Sequence, residues 1–214
     1  MGLHNLITTS NAEVFKNPDT KEDFNKLRRL QRKASCKKLG SKNRTKANVK
    51  VAKCYQTILN KRIDNLHKIT TKLIRKNQTI VMEDLAVKNM LKNHKLAHAI
   101  SNSSWSMLRN MLEYKCKWYG RELKIIDRFF PSSKTCNHCG YIKQNLKLSE
   151  RSWTCPVCGG VLDRDINAAK NILAAGQVVF VCGGGVRLKD ATASNAVADE
   201  TENLNREVRI TQLR

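Results

Sequence analysis

Apolar positions along the chain change period several times, and each change marks an element. Leu3, Leu6 and Ile7, followed by Thr8-Thr9, predict a short strand, Ser10-Asn11 a turn, and residues 12–15 a return strand. After Pro18, Thr20 with Asp23 three residues on has the pattern of a capping box. Phe24, Leu27, Leu30 and Ala34 then supply one apolar face of a helix, which Gly40-Ser41-Lys42-Asn43 interrupts. Residues 44–76 hold no Pro or Gly, and Val51, Tyr55, Leu59, Ile63, Leu66 and Leu73 keep to helical spacing. They predict a single helix about 50 Å long.

Residues 79–82 are a short apolar strand that ends in Glu83-Asp84-Leu85, and residues 87–95 read as irregular or loosely helical. A helix starts near Ser103 and ends before Gly120, with Trp105, Leu108, Leu112, Cys116 and Tyr119 on one face. Trp105 and Tyr119 read as core residues. Residues 123–130 predict a strand. Ile166, Ala169, Ile172 and Leu173 predict a last helix, with Gly176 where it would stop. From Gln177 onward the acids and bases cancel, and Cys182 is followed by three glycines. This tail is expected to be mostly flexible, with a short C-terminal strand.

Charge changes the picture. Forty Lys plus Arg against 18 Asp plus Glu give a net +22 over 214 residues. That balance excludes an ordinary enzyme of small substrates and favours a polyanionic partner, nucleic acid above all. Residues 26–76 carry 18 of the bases and one acid, Asp64, hence +17 of the total. A solvated helix face is the plain alternative. One sign at this density repels itself without a counter-charge, which favours phosphate contact through Arg28, Arg29, Arg32, Lys37, Lys42 and Arg44. Such contacts position without reading bases. No apolar run approaches the ~20 residues of a membrane span, and no signal-peptide pattern opens the chain. A cytoplasmic, nucleic-acid-associated protein is expected. Cys36, Cys54, Cys116 and Cys182 are scattered and read as reduced, partly buried thiols.

The remaining cysteines are paired. Cys136 and Cys139 form one C-x-x-C, Cys155 and Cys158 another, with 15 residues between the pairs. Four thiolates in two knuckles suit a tetrahedral Zn²⁺, and Gly140 and Gly159 follow each pair where a knuckle turns tightly. Redox C-x-x-C motifs are the alternative. His94, His98 and His138 read as polar surface. Asp163-Arg164-Asp165 then opens the last helix, where aspartate has an ordinary capping role.

The strings PSSKTCNHCG, WTCPVCG and DRDINAAKNIL resemble the C-terminal signature of the TnpB/OrfB family of insertion-sequence proteins. Further matches are RLQRKASCKKLGSKNRTKA, NLHKITTKL and VMEDLAVKNMLKNHKLA, so the resemblance covers almost all of residues 1–176. It implies an α/β, RNase H-like (RuvC) core with a zinc ribbon inserted before the last catalytic carboxylate. It also implies DNA cleavage under the direction of a guide RNA, with two catalytic Mg²⁺ beside the structural Zn²⁺. Glu83 resembles the second catalytic carboxylate and Asp165 the third, while Asp84 and Asp163 are left as surface or capping acids. The first carboxylate belongs to a G-I-D-x-G type string, which this sequence matches only from the residue after the aspartate. Leu162 departs from the histidine usual there.

The expected organisation is a core over residues 1–130 with a basic helical insertion at 20–76, a ribbon at 131–163, a last helix at 164–176 and a tail at 177–214. The chain is expected to bind nucleic acid and zinc and to cleave poorly. Two alternatives stay open: an intact nuclease whose true start lies upstream, and a nuclease-dead regulator that retains nucleic-acid contact.

Overall fold

A computed structural model describes residues 1–147, 149–181 and 210–213. The chain divides into two units, Asn17–Ile69, and Met1–Lys16 together with Thr70–Arg214.

The smaller unit is a helical hairpin. Helix α1 spans Lys21–Ser35, and α2, Lys42–Lys76, runs 35 residues and continues past the unit's boundary. Gly40, at φ +76°, makes the left-handed turn between them. Leu27, Cys54 and Ile58 are buried together, flanked by Phe24, Leu30 and Val51. The α1 stripe is the expected one, but the α2 stripe is rotated. Tyr55 and Leu59 are exposed, and positions 51, 54 and 58 face α1 instead. Cys54 acts as a small apolar residue here, which the spacing of larger side chains conceals. The capping box does not form. Thr20 makes no side-chain cap, Asp23 turns to the Lys61 ammonium at 2.6 Å, and Asp19 accepts the Lys21 N–H at 3.0 Å.

The larger unit opens with a hairpin of β1, Ile7–Thr8, and β2, Val14–Phe15, closed by a turn in which Ala12 has φ +60°. At its centre lies β3, Thr79–Glu83, whose Ile80, Val81 and Met82 are all buried. A strand enclosed on both faces reads as a continuous apolar run, as TIVM does. Strand β4, Glu122–Ile126, pairs parallel to it, with Glu83 opposite Ile126. The crossover runs through α3, Val87–Met90, α4, Ala97–Ser103, and α5, Trp105–Trp118. The periodicity did not predict α4, and Ser104 at φ +51° separates it from α5. Trp105, Leu108, Leu112 and Cys116 are buried as expected, whereas Tyr119 is half-exposed beyond the helix end. Lys115 donates to the Thr70 and Thr71 hydroxyls at 2.8 Å and ties α5 to the last turns of α2.

Strand β4 stops at Ile126 rather than near residue 130. The Asp127 carboxylate takes the Phe129 N–H at 2.7 Å, a local turn that competes with further pairing. Two short antiparallel strands follow, β5, Ser152–Thr154, and β6, Val161–Asp163. Helix α6, Arg164–Val181, then packs Ile172 against Val81 and Ile126. It passes through Gly176 instead of ending there. A Cβ on Gly176 would lie 2.6 Å from both Val81 methyls, so this glycine permits close approach of helix to sheet. Strand β7, Ile210–Leu213, pairs parallel to the other edge of β3. Of the expected flexible tail, residues 182–209, Cys182 among them, and residue 214 lie outside the described residues. Among the described residues no helix is long and apolar enough to cross a membrane.

Candidate metal centre and carboxylate positions

The two C-x-x-C segments fold alike. Gly140 N–H donates to Cys136 O and Gly159 N–H to Cys155 O, both at 2.9 Å. Both glycines adopt positive φ, +76° and +69°. Cys136 N–H in turn donates to Tyr141 O at 2.8 Å, and Cys155 N–H to Gly160 O at 2.9 Å. Each knuckle is therefore closed by a pair of its own backbone hydrogen bonds. The four sulfurs lie within 4.8 Å of one another, with Cys136 to Cys158 at 3.7 Å and Cys139 to Cys155 at 3.5 Å. A tetrahedral Zn²⁺ with bonds of about 2.3 Å spaces its sulfurs by about 3.8 Å, so the donor set fits. Trp153 and Leu162 close a small core around Cys136 and Cys155, and Lys143 lies 5.6 Å from the centre of the Trp153 ring. Leu162 is thus a buried member of this small core.

The thiols are pushed apart in acidity. Burial opposes ionisation at Cys155, but the N–H groups of Cys158 and Val157 and the neighbouring thiols outweigh it, bringing this thiol down to about 7. At Cys139 the Tyr141 N–H favours the thiolate, yet burial and the surrounding thiols push it up to about 12. Cys158 is raised in the same way against the pull of the Gly160 N–H. The raised thiols, Cys139 and Cys158, give up their protons when a cation binds. Cys36 is exposed, while Cys54 and Cys116 are buried free thiols.

Glu83 closes β3, and its carboxylate accepts from the Met1 ammonium at 2.9 Å. Asp165 lies in the first turn of α6, 3.4 Å from Arg164 and 3.8 Å from Arg151. Lys124 donates to Gly176 O at 3.3 Å, while Ile172 reaches Ile126, so α6 runs antiparallel to β3 and β4. Asp165 consequently lies at the end of the sheet where Glu83 sits. Asp163 is a cap: one carboxylate oxygen accepts the N–H groups of Asp165 and Ile166, both at 2.9 Å. Asp84 bridges Arg128 and Arg109, the latter at 2.8 Å, and these two arginines hold its carboxyl below the usual range. Among the described residues the four cysteines are the only set of three or more Cys, His, Asp or Glu whose ligand atoms converge. His94, His98 and His138 join no such set.

Arg28, Arg29 and Arg32 are exposed on α1, Lys37 in the turn, and Lys42 at the start of α2. Arg44 is half-buried and donates to Lys37 O at 3.2 Å, which gives it a share in the turn itself.

Two residues escaped the sequence reading. Asn167 and Asn171, one turn apart on α6, are buried and bonded to the first knuckle. The Asn167 amide donates to Thr135 O at 2.7 Å and accepts the Asn137 N–H at 2.9 Å. The Asn171 amide donates to Ser132 O at 2.7 Å and to Thr135 O at 2.6 Å. Their signal was available: two amides at i, i+4 beside the apolar stripe of a helix need buried partners.

A family model described as Probable transposase matches residues 1–94, and one described as Cas12f1-like, TNB domain matches residues 105–172. A Streptomyces pristinaespiralis protein, provisionally named an RNA-guided DNA endonuclease, is 54% identical over 87% of this chain and 46% of its own length. The protein InsQ of Escherichia coli K12, provisionally named likewise, is 34% identical over 85% of this chain and 49% of its own. A TnpB-like protein of Methanocaldococcus jannaschii is 32% identical over 82% of this chain and 63% of its own. A solved Cas12f1–sgRNA–target DNA complex shares 20% identity at a TM-score of 0.47, over 75% of this chain and 43% of that one. The chain spans about half the length of the first two relatives. Adjoining family models and a relative at 54% identity place it together: the chain belongs to the TnpB/OrfB family of insertion-sequence proteins.

Proposed function

We propose that this chain supplies the RuvC-like core and zinc ribbon of a TnpB-type RNA-guided DNA endonuclease, binding nucleic acid and one Zn²⁺ while cleaving DNA weakly or not at all. The observation that carries the reading is the contrast between its two candidate metal sites. Four cysteine sulfurs converge within 4.8 Å, whereas Glu83 and Asp165 gather no third ligand among the described residues. Two Mg²⁺ would activate water and stabilise the leaving oxygen in such a nuclease, but two carboxylates do not complete their ligand set. No cleavage step follows for the described residues. The parallel pair β3 and β4, with α6 antiparallel to it and both carboxylates at one end, supports an RNase H-like core.

Guide RNA and target DNA are the partners this reading requires, and the charge of the helical hairpin supports both. Arg28, Arg29, Arg32, Lys37 and Lys42 are exposed on one basic unit, where they contact phosphates without reading bases. The test is equilibrium binding of unrelated DNA and RNA sequences at increasing salt. Affinity should fall steeply with salt and vary little with sequence, and removing one phosphate-contacting side chain should lower the log–log slope by roughly 0.7–0.9. A salt-independent affinity, or none for any nucleic acid, would leave the hairpin as a solvated surface.

A further inference from the structure

We propose that Asn167, seconded by Asn171, is a positioning residue that couples metal occupancy of the four cysteines to the first turn of α6, and so to Asp165. The proposal rests on reading those cysteines as a metal site; it does not depend on cleavage.

The geometry is that of a latch. Asn137 lies between the ligands Cys136 and Cys139, and Thr135 precedes Cys136. The Asn167 amide holds both, its Oδ1 accepting from Asn137 N–H at 2.9 Å and its Nδ2 donating to Thr135 O at 2.7 Å. Only one orientation of the amide satisfies both partners, so a carboxylate or an apolar isostere fails at one contact or both. Asn171, one turn further on, donates to Thr135 O at 2.6 Å and to Ser132 O at 2.7 Å. Asn167 is 2% exposed and Asn171 7%, so water does not readily replace a lost partner. Asp165 stands two residues before Asn167, its N–H held by the Asp163 cap at 2.9 Å.

The energetics follow from burial. A small module with four ligands owes its folding to the metal, so metal loss releases the first knuckle. The two amides would then be buried without partners, which costs more than the bonds contribute when made. The first turn of α6 relieves that cost by loosening, and Asp165 moves with it. Coupling of this kind is reciprocal. Damage to the latch must weaken metal binding, as residues bonded behind metal ligands commonly do, by on the order of tenfold.

The test uses the full chain. Zinc affinity is measured by competition with a chromophoric chelator, and amide hydrogen exchange is followed with and without zinc. Asn167→Leu should weaken zinc binding on the order of tenfold while the Co²⁺-loaded variant keeps its thiolate charge-transfer bands. Ile172→Val, which loosens α6 on the sheet but spares the latch, should lower stability and leave zinc affinity unchanged. In the wild-type chain, a measurement that needs no variant to fold, stripping zinc should speed exchange across residues 164–172 and not across 79–83. Unchanged zinc affinity in Asn167→Leu, or unchanged exchange at 164–172 on stripping, overturns the coupling. Failure of the wild-type chain to take up zinc would remove the metal reading, and the coupling with it.

Discussion

At the scale of single residues, the cysteines were the most legible feature of the sequence. Their spacing suits two knuckles of one four-thiolate site, and the four sulfurs lie within 4.8 Å of one another. The chain should bind one Zn²⁺, and affinity should rise with pH, because each ligand surrenders a proton and Cys139 and Cys158 are pushed up in its absence. Zinc content near one equivalent, lost in Cys155→Ser, would bear this out; less than about half an equivalent in the intact chain would count against it. Roles for neighbouring acids were legible only in part. Asp163 caps α6 as an aspartate there ordinarily does, but Asp23 abandons its expected box for Lys61, a partner 38 residues away that no local pattern reveals. Asp84 makes a pH prediction. Its folded value is depressed by Arg128 and then Arg109, so its contribution is present above about pH 4 and is lost as pH falls through the lower folded value. Asp84→Asn should flatten the stability profile in that acid range, as read by urea denaturation at successive pH values.

At the scale of elements, periodicity located α1, α2, β3 and α5, and it failed where tertiary contact overrides it. Glycine shows why. Gly176 reads as a stop signal, yet it lies inside α6 against Val81, and a helix-end rule cannot distinguish a turn from a close approach. Gly176→Ala would set a methyl 2.6 Å from both Val81 methyls, and Val81 is 1% exposed, so neither side has room to yield. The substitution should cost about 1–3 kcal/mol in chemical denaturation, despite alanine's better helix propensity. Val81→Ala in the same chain should recover part of that loss, because it removes the opposing methyls. A neutral or stabilising Gly176→Ala would mean that the helix does not press on the sheet at that point.

At the scale of the whole molecule, a net charge of +22 favours a polyanionic partner, as the family strings do. The division into a basic helical hairpin and a sheet unit with its ribbon was less legible, because α2 runs unbroken through the boundary near residue 70. Zinc and nucleic-acid binding should persist in a chain whose described carboxylates do not complete a Mg²⁺ site. The most direct measurement is cleavage of labelled target DNA by the purified chain with Mg²⁺ and a cognate guide RNA, beside Glu83→Ala and Asp165→Ala. Bound DNA is expected, with cleavage no greater than in either variant. Robust cleavage by the unaltered chain, abolished by Glu83→Ala, would contradict it, since some further ligand would then complete the carboxylate set.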